Sequence, residues 1–179
     1  MSARHPASIH VVVMGVSATG KSTVAKALAE KLDLEFIEGD DFHSPANLEK
    51  MAKGEPLTDE DRLPWLRMLA GLVEQRGSRD SSTILTCSAL RRSYRDTLRE
   101  GVPGYSAFFV HLHAEFAVLL DRMGHRDRHF MPSSLLQAQF DTLEPLEPDE
   151  SGVVIDVTPP LDDVLAAAAQ AVSNLRSPH

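Results

Sequence analysis

Residues 9–22 read Ile9-His10-Val11-Val12-Val13-Met14-Gly15-Val16-Ser17-Ala18-Thr19-Gly20-Lys21-Ser22. The first six are nearly all apolar and rich in β-branched side chains, which marks a strand buried on both faces. Gly15 to Ser22 fits G-x-x-x-x-G-K-[ST]. From Lys21 onward, Val24, Leu28 and Leu32 recur at helical spacing. A buried strand, a glycine loop and a helix in that order form the setting a phosphate-binding loop requires. Backbone N–H groups across Gly15, Ser17, Ala18, Thr19 and Gly20 can turn inward around phosphate oxygens. The helix N-terminus adds partial positive charge. Lys21 is expected to reach the β and γ phosphates, and the Ser22 hydroxyl, with Thr23 beside it, to face Mg²⁺.

Beyond the loop, short apolar runs alternate with amphipathic ones. Strands are expected over Leu34–Glu38, Ser82–Cys87, Ser106–Leu112 and Gly152–Val157. Helices are expected over Pro45–Lys53, Thr58 to about Gln75, Arg91–Glu100, Glu115–Met123, Ser133–Leu143 and Leu161–Leu175. Thr58 followed by Asp59, Glu60 and Asp61 suits a capped helix start, since acids there meet the positive end of the helix dipole. This alternation predicts an α/β fold, a parallel sheet with helices on both faces, in one domain spanning residues 1–179. Ligands of such sheets bind beyond the carboxyl ends of the strands.

Composition narrows the function. The formal net charge is −8 over 179 residues, which argues against coating nucleic acid. No apolar stretch approaches the roughly 20 residues that span a bilayer. Cys87 is the one cysteine, so no internal disulfide forms, and a reducing, cytoplasmic setting is expected. A GTPase would need N/T-K-x-D, which is absent. The D-x-x-G matches at Asp121 and Asp149 fall outside strand ends. A small kinase with a mobile lid over residues 122–132 fits best. In Arg122 to His129, Arg126 is the candidate for neutralising the transferring phosphoryl group, and Arg122 for stacking on adenine. Backbone groups from Asp156 to Pro159 are candidates for reading the adenine edge.

The turn Gly39-Asp40-Asp41-Phe42-His43 opens where the second strand ends. Asp40 is a candidate for orienting or deprotonating a substrate hydroxyl and for holding Mg²⁺ through water. His43 and Gln139 are candidates for hydrogen bonds to a polyol. A substrate carboxylate would want the planar fork of Arg62 or Arg91. Arg91, Arg92, Arg95 and Arg99 read largely as one solvated helix face, from which Arg91 or Arg92 would reach ligand. Trp65 is as suited to core packing as to contact.

Residues 39–66 (GDDFHSPANLEKMAKGEPLTDEDRLPWL), CSALRRSYRDTLRE from Cys87, RMGHRDRHFMPSSLLQAQFDTLEP from Arg122 and the phosphate loop together resemble the gluconate kinase family of small P-loop kinases. The resemblance spans about Ile9 to Asp156. It implies ATP-dependent phosphorylation of the 6-hydroxyl of D-gluconate to 6-phosphogluconate, with ATP and Mg²⁺. It also implies a five-stranded parallel sheet in the order 2-3-1-4-5, usually in a homodimer. By position, the family's acid falls on Asp40 and its histidine on His43. Alternatives left open are a kinase of the same architecture acting on another hydroxy acid such as shikimate, and an ATP-binding regulatory module without transfer. Two departures stand out. Ala18 occupies a position the family usually gives to glycine, where alanine can still present its N–H if φ stays negative. Ser44 separates the histidine from Pro45, where the family usually places proline next to histidine.

Overall fold

The computed structural model describes residues 8–102, 107–125 and 132–176. Its centre is β1 (His10–Met14), every residue of which is buried. Around it lie β2 (Glu35–Glu38), β3 (Thr83–Thr86), β4 (Ala107–His113) and β5 (Gly152–Asp156). All pairings are parallel and the order is β2-β3-β1-β4-β5, as the family resemblance implies.

Side chains along a strand alternate between faces, and β1 uses both. Val11 and Val13 pack with Val24, Ala25 and Leu28 of α1 (Lys21–Leu32) and with Val164, Ala168 and Val172 of α7 (Leu161–Arg176). Val12 and Met14 pack on the opposite face, with Trp65, Leu66 and Leu69 of α3 (Asp59–Gly77) and Tyr94 and Leu98 of α4 (Arg92–Glu100). Burial on both faces explains why β1 reads as a continuous apolar run rather than an alternating one.

Remaining helices are α2 (Pro45–Ala52), α5 (Phe116–Gly124) and α6 (Ser133–Thr142). Observed boundaries fall within two residues of the sequence reading for most elements. Ser44, which departs from the family pattern, has a local function: its hydroxyl accepts from Asn47 N–H at 3.1 Å and caps α2, with Pro45 at the first helical position. The Thr58 cap is a full reciprocal box. Thr58 Oγ1 accepts from Asp61 N–H at 3.2 Å, and Asp61 Oδ2 accepts from Thr58 N–H at 2.9 Å. Arg91 caps α4 instead of opening it. No helix among the described residues is long and apolar enough to cross a membrane.

Candidate active site

Among the described residues, three cavities run along the carboxyl edge of the sheet. The first, about 400 Å³, lies over the phosphate loop and reaches Glu38, Asp40 and Thr86. The second, about 210 Å³, lies between Thr19, Arg122, Val157 and Pro159. The third, about 550 Å³, is walled by α3, α4 and α6. The first and second share Gly20 and Thr23, and the first and third share Ser17, Lys21 and Asp40. The phosphate loop therefore lines all three cavities.

The loop is already curled. Thr19 Oγ1 donates to Val16 O at 2.9 Å, and Lys21 Nζ donates to the same carbonyl at 3.0 Å. Gly20, at φ 87°, caps α1 in the left-handed region. Ala18 also lies there, at φ 67°, so the condition of a negative φ is not met. A non-glycine residue in that region bears a strain of roughly 1–2 kcal/mol. Ala18 is buried, so surrounding contacts hold it in place.

At the end of β2 the structure brings forward a residue that the sequence reading passed over. Glu38 accepts from Ser22 Oγ at 2.6 Å and closely from Thr86 Oγ1. The acid nearest the loop serine is thus Glu38, with Asp40 farther along the same wall. The usable signal was position, since Glu38 ends a strand at the ligand-binding edge. Next to it, Gly39 donates N–H to Thr86 Oγ1 at 3.0 Å. A β-carbon on Gly39 would stand 2.0 Å from Thr86 O, so only glycine lets the turn approach β3 this closely.

That turn, a 3-10 turn over Gly39–Phe42, presents Asp40 to both large cavities, while Asp41 is exposed and lines none of the three. His43 stacks on Trp65 with ring centroids 4.0 Å apart and planes 19° apart. Trp65 itself is buried and donates Nε1–H to Gly39 O at 2.8 Å. It is both core and scaffold for the turn. Asn47 Nδ2 lies 3.4 Å from His43 Nδ1 and donates to Asp61 O at 2.9 Å. With Nδ1 accepting, the proton sits on Nε2, which lies 3.7 Å from Asp40 Oδ1. Burial lowers the His43 pKa and nearby Arg62 lowers it further, against the opposing pull of Asp40, so the ring is neutral at pH 7.

Arg62 and Arg91 both line the third cavity, as do Gln139, Tyr94 and Asp59. Arg62 sits over the Tyr94 ring at 5.5 Å and donates Nε–H to Leu57 O at 3.3 Å. Arg91 Nη1 is 3.5 Å from Asp59 Oδ2, and the Tyr94 hydroxyl donates to the other Asp59 oxygen. Burial, reinforced by that bond, pushes the Tyr94 phenol up to about 12, so it remains a donor. Gln139 is tied to the loop: its Oε1 accepts from Ser17 N–H at 2.7 Å, and its Nε2 donates to Ser17 Oγ at 3.0 Å.

The other arginines of α4 correct the sequence reading of one solvated face. Arg92 is held away from the cavity by Asp96, Glu147 and Asp149. Arg95 is fully buried and forks onto Glu150, Nε to Oε2 at 2.6 Å and Nη2 to Oε1 at 2.8 Å. Its remaining donors reach the carbonyls of Ala89, Leu90, Glu144 and Pro145. Arg99 also donates to Glu150 and lies 4.7 Å over Phe109. The physical reason is the stripe Tyr94, Arg95, Leu98, which is buried at helical spacing and carries Arg95 inward.

At the far end, Arg122 Nη2 donates to Val157 O at 2.5 Å and shares its cavity with Pro159. Arg126 lies outside the described residues. Cys87 is buried at the end of β3, and burial pushes its thiol up to about 12, which makes it inert.

Over most of its length the chain is similar to known kinases. The family described as AAA domain matches residues 11–146. The Gluconobacter oxydans gluconokinase is 49% identical, covering 78% of each chain. The thermoresistant gluconokinase of Escherichia coli K12 is 43% identical over 90% of this chain and 91% of its own length. A solved gluconokinase from Sinorhizobium meliloti 1021 superposes with a TM-score of 0.83 at 45% identity, covering 97% of this chain and 95% of that one. Similarity of this extent, carried on a shared sheet order, shows that the chain belongs to the gluconokinase family of P-loop kinases.

Proposed function

We propose that this chain transfers the γ-phosphoryl group of ATP to the 6-hydroxyl of D-gluconate, giving 6-phosphogluconate and ADP. The observation that carries this reading is the meeting of two cavities at Ser17, Lys21 and Asp40. A nucleotide's phosphates and an acceptor's hydroxyl would come together at that junction, which is what in-line transfer requires.

The roles follow from the chemistry of each group. Phosphate oxygens take the backbone N–H groups from Ser17 to Thr23 and the Lys21 ammonium. Adenine lies between Arg122 and Pro159. The acceptor's carboxylate is gripped by Arg62 and Arg91, and its hydroxyls by His43 Nε2–H and Gln139. Asp40 takes the proton of the attacking hydroxyl. The oxygen so exposed bonds to the γ phosphorus as the bond to the β–γ bridging oxygen breaks, and ADP leaves. Arg126 is assigned to the developing charge on the phosphoryl group.

The Ser22 hydroxyl and the Glu38 and Asp40 carboxylates are hard oxygen donors that suit Mg²⁺. When bound, Mg²⁺ would neutralise the β and γ phosphates. Ser22, Glu38 and, through water, Asp40 would hold it. A cytoplasmic homodimer completes the proposal.

The test is ADP release from Mg-ATP with D-gluconate, shikimate, adenylate, glycerate or no acceptor. Turnover on D-gluconate alone is the expected result. Turnover on shikimate instead would keep the phosphate loop and sink the acceptor assignment. Tight ATP binding with no turnover on any acceptor would favour a regulatory module.

A further inference from the structure

Gln139 belongs to the wall of the acceptor cavity, yet both ends of its amide are spent on the phosphate loop. The contact joins positions 122 residues apart, at 2.7 Å and 3.0 Å, and takes up the backbone N–H of Ser17. Ser17 is one of the residues common to the phosphate and acceptor cavities.

A phosphate oxygen competes strongly for that N–H, because a charged acceptor binds it more tightly than a neutral amide does. Phosphate and Gln139 Oε1 are both acceptors, so they cannot share one proton donor at close range without repulsion. Once displaced, the Gln139 amide still has an acceptor and two donors to satisfy within a half-buried cavity. The nearest chemistry that offers both is a polyol hydroxyl beside Asp40 and His43.

We propose that Gln139 is an exchange residue. It holds Ser17 while the phosphate site is empty, and nucleotide phosphate releases it to bind the acceptor, so that ATP tightens binding of the sugar acid. This rests on the gluconate kinase reading above and adds an order to it. The residue that recognises acceptor becomes available only when the donor is in place. Binding of the two substrates is then reciprocal, each strengthening the other by the same factor.

The experiment is titration calorimetry of D-gluconate into the full chain, with and without Mg²⁺ and a non-hydrolysable ATP analogue. Wild type is expected to bind D-gluconate about 10-fold more tightly with the analogue present, within the usual range of coupling between sites. Gln139→Met, close in shape but unable to make either bond, is expected to bind D-gluconate equally in both conditions. Gln139→Glu keeps an acceptor for Ser17 N–H but sets a negative charge against phosphate. Its affinity for the analogue is expected to fall about 10-fold, because the carboxylate stays bonded to Ser17 N–H beside the phosphate; an unchanged affinity would count against competition at that N–H. Persistence of wild-type tightening in Gln139→Met would overturn the proposal, as would its absence in wild type. Should Gln139→Met fold poorly by circular dichroism, Gln139→Asn, too short to span the gap, carries the same expectation. Wild-type turnover of gluconate, read separately by ADP release, decides the acceptor independently of the exchange.

Discussion

Arg91 and Arg95 stand one helical turn apart at the start of α4 and meet opposite fates. Arg91 caps the helix, lines the acceptor cavity and has one distant, half-exposed partner in Asp59. Arg95 has no exposed surface and bonds to Glu150 and four backbone carbonyls. An arginine with weak, replaceable partners is suited to receiving a ligand carboxylate, whereas one whose donors are all engaged is suited to holding chain segments together. Arg95 joins the loop before α4 to the segment between α6 and β5. Leu90 O adds to that joint by accepting from Glu144 N–H at 2.7 Å.

The contrast breaks most visibly at Arg95. Arg95→Met would leave Glu150 buried without its main partner and is expected to cost about 3–5 kcal/mol, read by urea or thermal unfolding. The double variant with Glu150→Met should not recover the loss, because the four carbonyls would still lack their donors. Full recovery would mean that the carboxylate alone decided the cost.

Next in size is an effect of acid. Burial opposes ionisation of Glu150, but the hydrogen bonds from Arg95 and Arg99 outweigh it and hold the carboxyl down at about 2. The unfolded chain binds this proton near the ordinary value of about 4.5, so the contribution is fully present above that pH. It is lost as pH falls from there through about 2. Glu150→Gln should therefore unfold with a flatter acid limb than wild type. Parallel limbs would count against the depressed carboxyl.

Arg91→Ala should leave stability within about 1 kcal/mol, as exposed pairs do. It should raise the KM for D-gluconate about 10-fold or more, with the KM for ATP unchanged, since a charge-assisted bond is worth about 1.5–3 kcal/mol. Equal rises in both constants would erase the distinction between the two arginines.

These two residues also mark how far the sequence could be read. β1, the phosphate loop, the Thr58 cap and the sheet order were legible because each depends on neighbours in sequence or on a long shared pattern. Arg95 was misread because its partner lies 55 residues away. Four arginines in nine residues look like a wet face until their helical phase is set against Tyr94 and Leu98. Glu38 was missed for a similar reason. Its partners Ser22 and Thr86 come from other elements, and the adjacent Asp40 and Asp41 drew attention away from it. Ala18 shows the limit of residue-type rules: an alanine within the buried core takes up a backbone shape that favours glycine.

The stacking of His43 on Trp65 has a spectroscopic consequence. Trp65 is the one tryptophan in the chain, so intrinsic emission excited at the red edge comes from a single indole. That indole lies 4.0 Å from an imidazole that burial keeps neutral. A cationic imidazole quenches a stacked indole by accepting an electron, and a neutral one does so far less. The emission of the unlabelled protein is thus a native optical gauge of the acceptor turn, bright at neutral pH and dimming as acid protonates His43.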